Sequence, residues 1–146
     1  MKIFLGADHA GFKLKEKLKK YFKKKKIPYE DLGTSSLNVV DYPDYAFKVA
    51  EKVSQQKNTK GILICGTGTG MVIAANKIKG IRAVAAYDTY AAKMSRVDND
   101  ANILCLRGRK FPYRNIQNIV SLWLKTPFSK KSRHQKRLTK IARHEK

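Results

Sequence analysis

Cys65 is followed directly by Gly66-Thr67-Gly68-Thr69-Gly70, which places one thiol, two hydroxyls and three glycines within six consecutive residues. The apolar run Ile62-Leu63-Ile64 ahead of them reads as a buried strand, and Met71-Val72-Ile73-Ala74-Ala75-Asn76-Lys77 behind them reads as a helix. Ligands of open α/β sheets bind at such strand ends, because free N–H groups of the following helix face outward and favour negative charge. Spacing separates the chemistries this turn could serve. A dinucleotide fingerprint needs glycine at its first, third and sixth positions, but the sixth residue is Met71 counted from Gly66 and Ile73 counted from Gly68. Asp88 stands at the distance of a ribose-binding acid, yet the strand is not the first of the chain. A cysteine phosphatase would want an arginine where Met71 stands, and no Gly-Lys-Ser/Thr follows to make a Walker loop. What fits is a thiol or thiolate that moves a proton while neighbouring N–H groups hold a developing oxyanion. Cysteine also serves as a small buried hydrophobe, but the three glycines after it favour the chemical role.

A second pair of candidates lies near the end of the chain. Arg133 and Arg137 are four residues apart, so on a helix they project from one face. Two guanidinium groups set this way can grip a phosphate through forked, charge-assisted hydrogen bonds. A solvated helix tail would carry the same spacing.

The elements that must position these groups alternate regularly. Lys2–Gly6 reads as a strand and Ala7–Gly11 as a turn, and Leu14, Leu18, Tyr21 and Phe22 recur at helical spacing. Residues 27–32 give a second strand marred by Pro28, and residues 33–36 a loop. A helix begins near Pro43 and carries Tyr45, Ala46, Val49, Ala50 and Val53. Beyond the central strand and helix come a strand at 81–86, a helix at 89–95, a strand at 102–106 and a helix at 116–124. Strands separated by helices at this rhythm indicate βαβ units, a parallel sheet and right-handed crossovers. The 146 residues, 42% of them hydrophobic, suit one domain over 1–146. The segment 129–146 is strongly basic, and Leu138, Ile141 and Ala142 give it only a thin apolar stripe, so it either frays or docks on something else.

The formal charge is +21, from 32 Lys and Arg against 11 Asp and Glu, which raises nucleic acid as a partner. Much of the excess is lysine at the end of the first helix, in Lys19-Lys20 and Lys23–Lys26, where a solvated face and the helix dipole explain cations without a partner. No recognition-helix, zinc-finger or aromatic RNA-binding pattern accompanies the charge, so nucleic acid is not the expected partner. No apolar run approaches the roughly 20 residues that span a bilayer, and no metal-ligand spacing is present. The expectation is therefore a protein of the cytoplasm, with Cys65 and Cys105 as free thiols.

Taken in order, Asp8-His9-Ala10-Gly11, Asp41-Tyr42-Pro43, Cys65–Gly70, Ala75-Asn76-Lys77, Gly80-Ile81-Arg82-Ala83, Ser95-Arg96, Asn99-Asp100-Ala101-Asn102 and Arg133-His134-Gln135 resemble type B ribose-5-phosphate isomerases. That family is grouped with the galactose-6-phosphate isomerase subunits, and the resemblance runs from residue 3 to about residue 137. It implies a Rossmann-like three-layer sandwich around a five-stranded parallel sheet, with a C-terminal helix reaching over a partner subunit. It also implies an enzyme without cofactor or metal that interconverts ribose 5-phosphate and ribulose 5-phosphate through an ene-diolate, working as a homodimer or a pair of dimers. On that resemblance Cys65 is the base, the N–H groups of Gly68, Thr69 and Gly70 stabilise the ene-diolate, Gly66 belongs to the substrate-binding set, and Thr67 places a hydroxyl near the ring oxygen. Asp8, Tyr42 and Asn99 approach the sugar, and His9, Arg109, Arg133 and Arg137 bind the phosphate. Taken alone, His9 reads as a turn residue and Arg109 as a strand-end cation. Cys105 matches no catalytic position and is expected in the core.

One position departs from the pattern. Where the family carries a histidine that helps to open the furanose ring, this chain has Asp98. An ordinary aspartate titrates near ~3.9 and is a poor acid at neutral pH unless burial or another carboxylate raises it. Asp98 otherwise caps or turns the chain. The departure leaves open a hexose 6-phosphate isomerase, acting on allose or galactose 6-phosphate. A different class, a basic nucleic-acid-binding protein on an inactive isomerase scaffold, would instead use the lysine clusters and the last helix.

Overall fold

A computed structural model describes residues 1–145; Lys146, the last residue of the expected basic segment, lies outside the described residues. Five strands form one all-parallel sheet: β1 (Lys2–Ala7), β2 (Tyr29–Asp31), β3 (Thr59–Cys65), β4 (Ala83–Ala85) and β5 (Ile103–Arg107), in the spatial order β2-β1-β3-β5-β4. The helices are α1 (Phe12–Lys25), α2 (Tyr42–Gln55), α3 (Thr69–Ala75), α4 (Thr89–Val97), α5 (Tyr113–Lys125) and α6 (Ser132–Ala142). The α/β sandwich expected from the alternation is present. The strand at 27–32 contracts to three residues: Pro28 has no N–H to give, and its carbonyl accepts from the Ile3 N–H at 2.9 Å.

The continuous apolar runs in the three central strands are buried on both faces, as a covered parallel sheet demands. Ile3, Leu5, Ile62, Ile64, Leu104 and Leu106 point to one side, into a core closed by α1, α4 and α5 around Trp123. Phe4, Leu63, Cys65, Ile103 and Cys105 point to the other, against α2 and α3. This alternation assigns Cys65 to the α2–α3 layer. Cys105 is fully buried in that layer, as expected for a core residue, and burial pushes its thiol well up from the ordinary range. Both cysteines are free, and no helix among the described residues is long and apolar enough to cross a membrane.

Because β2 lies on one side of β1 and β3 on the other, α1 and α3 leave the carboxyl ends of β1 and β3 toward opposite faces. A crevice opens between those ends, the usual ligand position of a doubly wound sheet. Its walls are stiffened from the α1 side by a buried cation: the Lys15 ammonium, with a side chain only 2% exposed, pairs with Asp31 at 2.7 Å and Glu16 at 3.3 Å. Lys19 adds contacts of 2.9 Å to both carboxylates.

Burial alone would push the Asp31 carboxyl up, but hydrogen bonds from Lys15, Lys19 and the Gly33 N–H overcome it and hold the carboxyl below its ordinary value. The Lys19 hydrogen bond likewise lowers Glu16. Carboxyls lowered by folding stabilise the folded state above their unfolded values, near ~4, and that contribution is lost as pH falls through the lowered folded values. Asp31→Asn leaves the buried Lys15 ammonium with Glu16 as its remaining carboxylate, at 3.3 Å, and should cost up to about 3 kcal/mol at pH 7. Urea unfolding at pH 7 and pH 3 should show the loss shrinking at the lower pH; an equal loss at both would mean that the pair contributes through shape alone.

Candidate active site

β1 ends at Ala7, and the Asp8 N–H then bridges to the Ile64 carbonyl of β3 at 3.2 Å, which draws the first loop across the end of the sheet. The Asp8 side chain is 5% exposed, and its carboxylate accepts from the Gly11 N–H at 3.1 Å. His9 is half-buried, and its Nδ1 accepts from the Val40 N–H at 3.2 Å. In the neutral ring this contact puts the proton on Nε2, leaving Nε2–H as the donor for a ligand.

At the end of β3 the chain turns through Gly68, whose φ of +87° is costly for a residue with a side chain. The turn brings the Gly68 N–H onto Cys65 Sγ at 3.1 Å, so a backbone donor already faces the sulfur. Thr67 Oγ1 accepts from the Thr69 N–H at 3.3 Å and lies 2.7 Å from Thr69 Oγ1. Two of the N–H groups expected to meet a ligand thus hold the sulfur and the Thr67 hydroxyl. Tyr42, the first residue of α2, lays its ring on the start of α3, where a Cβ on Gly70 would fall 2.6 Å from Tyr42 Cζ. Only a glycine lets the ring approach so closely.

The end of β5 completes this cluster. The Gly108 N–H donates to the Cys65 carbonyl at 2.8 Å and the Arg109 N–H to the Gly66 carbonyl at 3.2 Å. The Arg109 side chain consequently lies beside Gly66, with Nη1 3.4 Å from where a Cβ would stand. Asp8, His9, Tyr42, Cys65, Gly66, Thr67, Gly68, Thr69, Gly70 and Arg109 therefore share the carboxyl edge of the sheet.

Sequence reasoning missed the supports of this cluster. Tyr87 donates its hydroxyl to the Thr67 carbonyl at 2.8 Å. Arg107 donates from Nε to the Arg109 carbonyl at 2.9 Å and stacks on Phe111. Tyr87 follows the carboxyl end of β4 and Arg107 is the last residue of β5, the positional signal that could have found them.

Asp98, Asn99, Arg133 and Arg137 are elsewhere. Asp98 is the C-cap of α4, and α4 runs antiparallel to the strands, so the chain is back at the amino edge when it enters β5. The register from Gly61↔Ile103 to Cys65↔Arg107 spans four residues, about 13 Å of sheet at ~3.3 Å per residue. Asn99 lends its carbonyl to Arg82 Nε at 3.0 Å, and Arg133 and Arg137 stand exposed on α6.

The beginning of α6 is fixed at that same edge. The Ser129 N–H donates to the Val97 carbonyl at 3.1 Å, and His134, 3% exposed, places Nε2 3.4 Å from Asp98 Oδ1. The sequence motif contained His134 without giving it a task. Farther along α6, Leu138 and Ile141 face Ile81, Ala83 and Val84 across a groove of about 620 Å³. These two residues belong to neither core.

The arrangement matches known proteins over nearly its whole length. The family model described as Ribose/Galactose Isomerase matches residues 3–141. Ribose-5-phosphate isomerase B of Escherichia coli K12 is 41% identical over 140 residues, covering 96% of this chain and 93% of that protein. Among solved structures, Clostridium thermocellum ribose-5-phosphate isomerase B superposes with a TM-score of 0.95 at 45% identity, covering 98% of this chain and 96% of that one. The Mycoplasma genitalium ribose-5-phosphate isomerase B with bound ribulose-5-phosphate gives 0.94 at 40% identity, covering 99% and 95%.

The turn after Cys65 can be tested apart from any substrate. Gly68→Ala carries the left-handed penalty of about 1–2 kcal/mol and a Cβ 3.1 Å from the Leu106 carbonyl oxygen. Urea unfolding should register that loss, and native-state alkylation of Cys65 by iodoacetamide should change rate as the Gly68 N–H is displaced. An unaltered alkylation rate would mean that this N–H does not govern the sulfur.

Proposed function

The chain belongs to the ribose/galactose isomerase family and is an aldose–ketose isomerase of sugar phosphates; from that premise we propose that it interconverts ribose 5-phosphate and ribulose 5-phosphate with Cys65 as the base. The observation that carries the proposal is the Cys65 sulfur at the carboxyl edge, beneath the Gly68 N–H at 3.1 Å, with His9 and Arg109 on adjoining strand ends. Relatives and solved structures of 40–45% identity named for ribose 5-phosphate support the pentose, and a hexose 6-phosphate is not favoured.

Once the ring is open, the hydrogen on C2 passes to Cys65 Sγ as a proton, and its electron pair forms the C1–C2 double bond of the ene-diolate. The carbonyl oxygen on C1 takes up the charge and receives the proton of the C2 hydroxyl. Sγ then returns its proton to C1 as the C2 oxygen becomes the ketone carbonyl. With the Gly68 N–H on Sγ and the Thr69 N–H on Thr67 Oγ1, the Gly70 N–H at the start of α3 suits the developing oxyanion, where one such donor is worth about 3 kcal/mol of transition-state stabilisation. His9 Nε2–H and the Arg109 guanidinium supply charge and hydrogen bonds for the phosphate, and Asp8 and Tyr42 border the sugar.

Asp98, Asn99, Arg133 and Arg137 belong to the same reaction if a second copy presents its amino edge to this carboxyl edge. The functional unit is then a two-fold dimer with two shared sites, Asp98 serving ring opening and the two arginines completing the phosphate grip. The groove beneath Leu138 and Ile141 and the thin apolar stripe of α6 accord with a helix that also meets a partner. The basic nucleic-acid-binding reading draws support only from the net charge.

Two measurements decide the proposal. Cys65→Ala should lose ribose 5-phosphate turnover by at least about 10²-fold, the scale of a lost general base, while calorimetry shows the substrate still bound. Turnover close to wild type would exclude Cys65 as the base. Inactive Cys65→Ala and inactive Arg133→Ala, unfolded together and refolded as a mixture, should regain about a quarter of wild-type activity, because half the two-fold dimers are mixed and each has one intact site. No recovery would place each site within a single chain.

A further inference from the structure

A second concentration of charge stands at the amino edge of the sheet, unused by the isomerase chemistry. There a cavity of about 420 Å³ opens between the start of β3, the end of α4 and the segment joining α5 to α6. Four cations line it, Lys60, Arg96, Lys125 and Lys130, against one carboxylate, Asp100. That carboxylate is already shared: Oδ1 lies 2.7 Å from Arg96 Nη1 and Oδ2 lies 3.0 Å from Arg82 Nη2.

Two of the cations are built into the fold. Arg96 is 6% exposed; its Nε donates to the Thr126 carbonyl at 3.2 Å and its Nη1 to the Ala101 carbonyl at 2.6 Å, while Nη2 has no partner among the described residues. Lys60 is half-buried, and its ammonium donates to the Met1 thioether at 3.2 Å, a weak acceptor. Both rest on one ring, the ammonium and the guanidinium carbon each 5.8 Å from the centre of Trp123. Burial, and then Arg96, lower the Lys60 ammonium from its ordinary value, and Asp100 offsets only part of this. Holding two cations together behind one shared carboxylate costs free energy that a bound anion would return. The groups that would repel an anion are occupied. At the end of α5 the Leu122 carbonyl accepts from the Thr126 N–H at 3.0 Å and from Thr126 Oγ1 at 2.7 Å, and the Thr126 carbonyl is taken by Arg96.

We propose that this cavity is an anion site that takes a phosphate group, free or as a small monoester, separate from the substrate phosphate site at the carboxyl edge. Arg96 offers its unpaired Nη2 and Lys60 its ammonium, and the exposed Lys125 and Lys130 add charge from the rim. A phosphate suits these donors because its several oxygens accept charge-assisted hydrogen bonds from a guanidinium and an ammonium together. The apolar wall made by Pro127 and Phe128 gives the carbon chain of an ester a place to lie.

Trp123 is the only tryptophan of the chain and lies against both inner cations, so its fluorescence reports on this cavity. Inorganic phosphate is titrated into the full-length protein at an ionic strength held constant with potassium chloride, because salt screens exposed charges. The background is Arg109→Ala, which weakens the substrate phosphate site. A saturable change in emission is expected, and adding Lys60→Gln should raise its midpoint at least about tenfold, the scale of one charge-assisted hydrogen bond. Lys125→Gln with Lys130→Gln, at two exposed positions, should raise it about threefold. In the protein with Arg109 intact, Lys60→Gln should leave kcat/KM for ribose 5-phosphate at the wild-type level. Titration with glycerol 3-phosphate assigns the source: a midpoint below that of inorganic phosphate identifies a phosphate ester as the ligand, and one above it the free anion. No saturable change in the Arg109→Ala background would overturn the proposal, and so would a midpoint that none of the three lysine substitutions moves. A loss of turnover in Lys60→Gln would overturn it too, since the cavity would then belong to the substrate site.

Discussion

The parallel register that aligns β1, β3 and β5 at their carboxyl ends is the constraint from which the site follows. Ala7 pairs with Ile64 and Cys65 with Arg107, so three loops leave the sheet at one level and must share one small space. They do so by exchanging backbone hydrogen bonds: Asp8 with Ile64, Gly108 with Cys65 and Arg109 with Gly66. Side chains are absent where these loops press together, and a Cβ on Gly11 would fall 2.4 Å from the Ile64 carbonyl oxygen. Tight backbone packing delivers His9, Cys65 and Arg109 from separate stretches of chain to one edge, with little freedom left to lose when a ligand arrives.

The same geometry imposes a division. Helices return the chain to the opposite edge, and whatever follows α4 is about 13 Å of sheet away from whatever follows β3. Asp98, Asn99 and the first turn of α6 are gathered there by their own contacts, with Val97, Ser129 and His134 at the junction. A fold with two chemically furnished ends suits a pair of molecules better than a single one. In the two-fold dimer proposed above, symmetry would place the amino end of each chain at the carboxyl end of the other without any change of fold.

The surplus of positive charge is handled differently in different places. Lys15 is buried and fully paired, Arg96 is 6% exposed and tied to Asp100, Ala101 and Thr126, and Arg107 rests on Phe111. The lysines that end α1 lie on its exposed last turn, at the negative pole of the helix, where cations are stabilising without any partner. Arg109, by contrast, is held at the carboxyl edge of the sheet beside Gly66, the residue after Cys65.

Much of this was legible from residue order. Alternating apolar runs and helical spacings gave five strands with helices between them, because burial on a covered sheet demands patterns of that kind. The glycines after Cys65 announced a turn that a side chain would obstruct, and Gly68 does adopt a left-handed φ. The extent of β2 was misjudged, since the loss of one N–H at Pro28 matters only once the neighbouring strand is known. The sequence by itself determined the α/β class, the thiol at a strand end and the departure at Asp98, for these depend on local pattern and residue type. Tertiary structure alone decided that Asp98 lies at the far edge from Cys65, that Tyr87 and Arg107 brace the loops, and that His134 stands behind Asp98. Those relations arise from strand order and helix direction, which bring together residues 20 to 40 positions apart and leave no periodic trace in the chain.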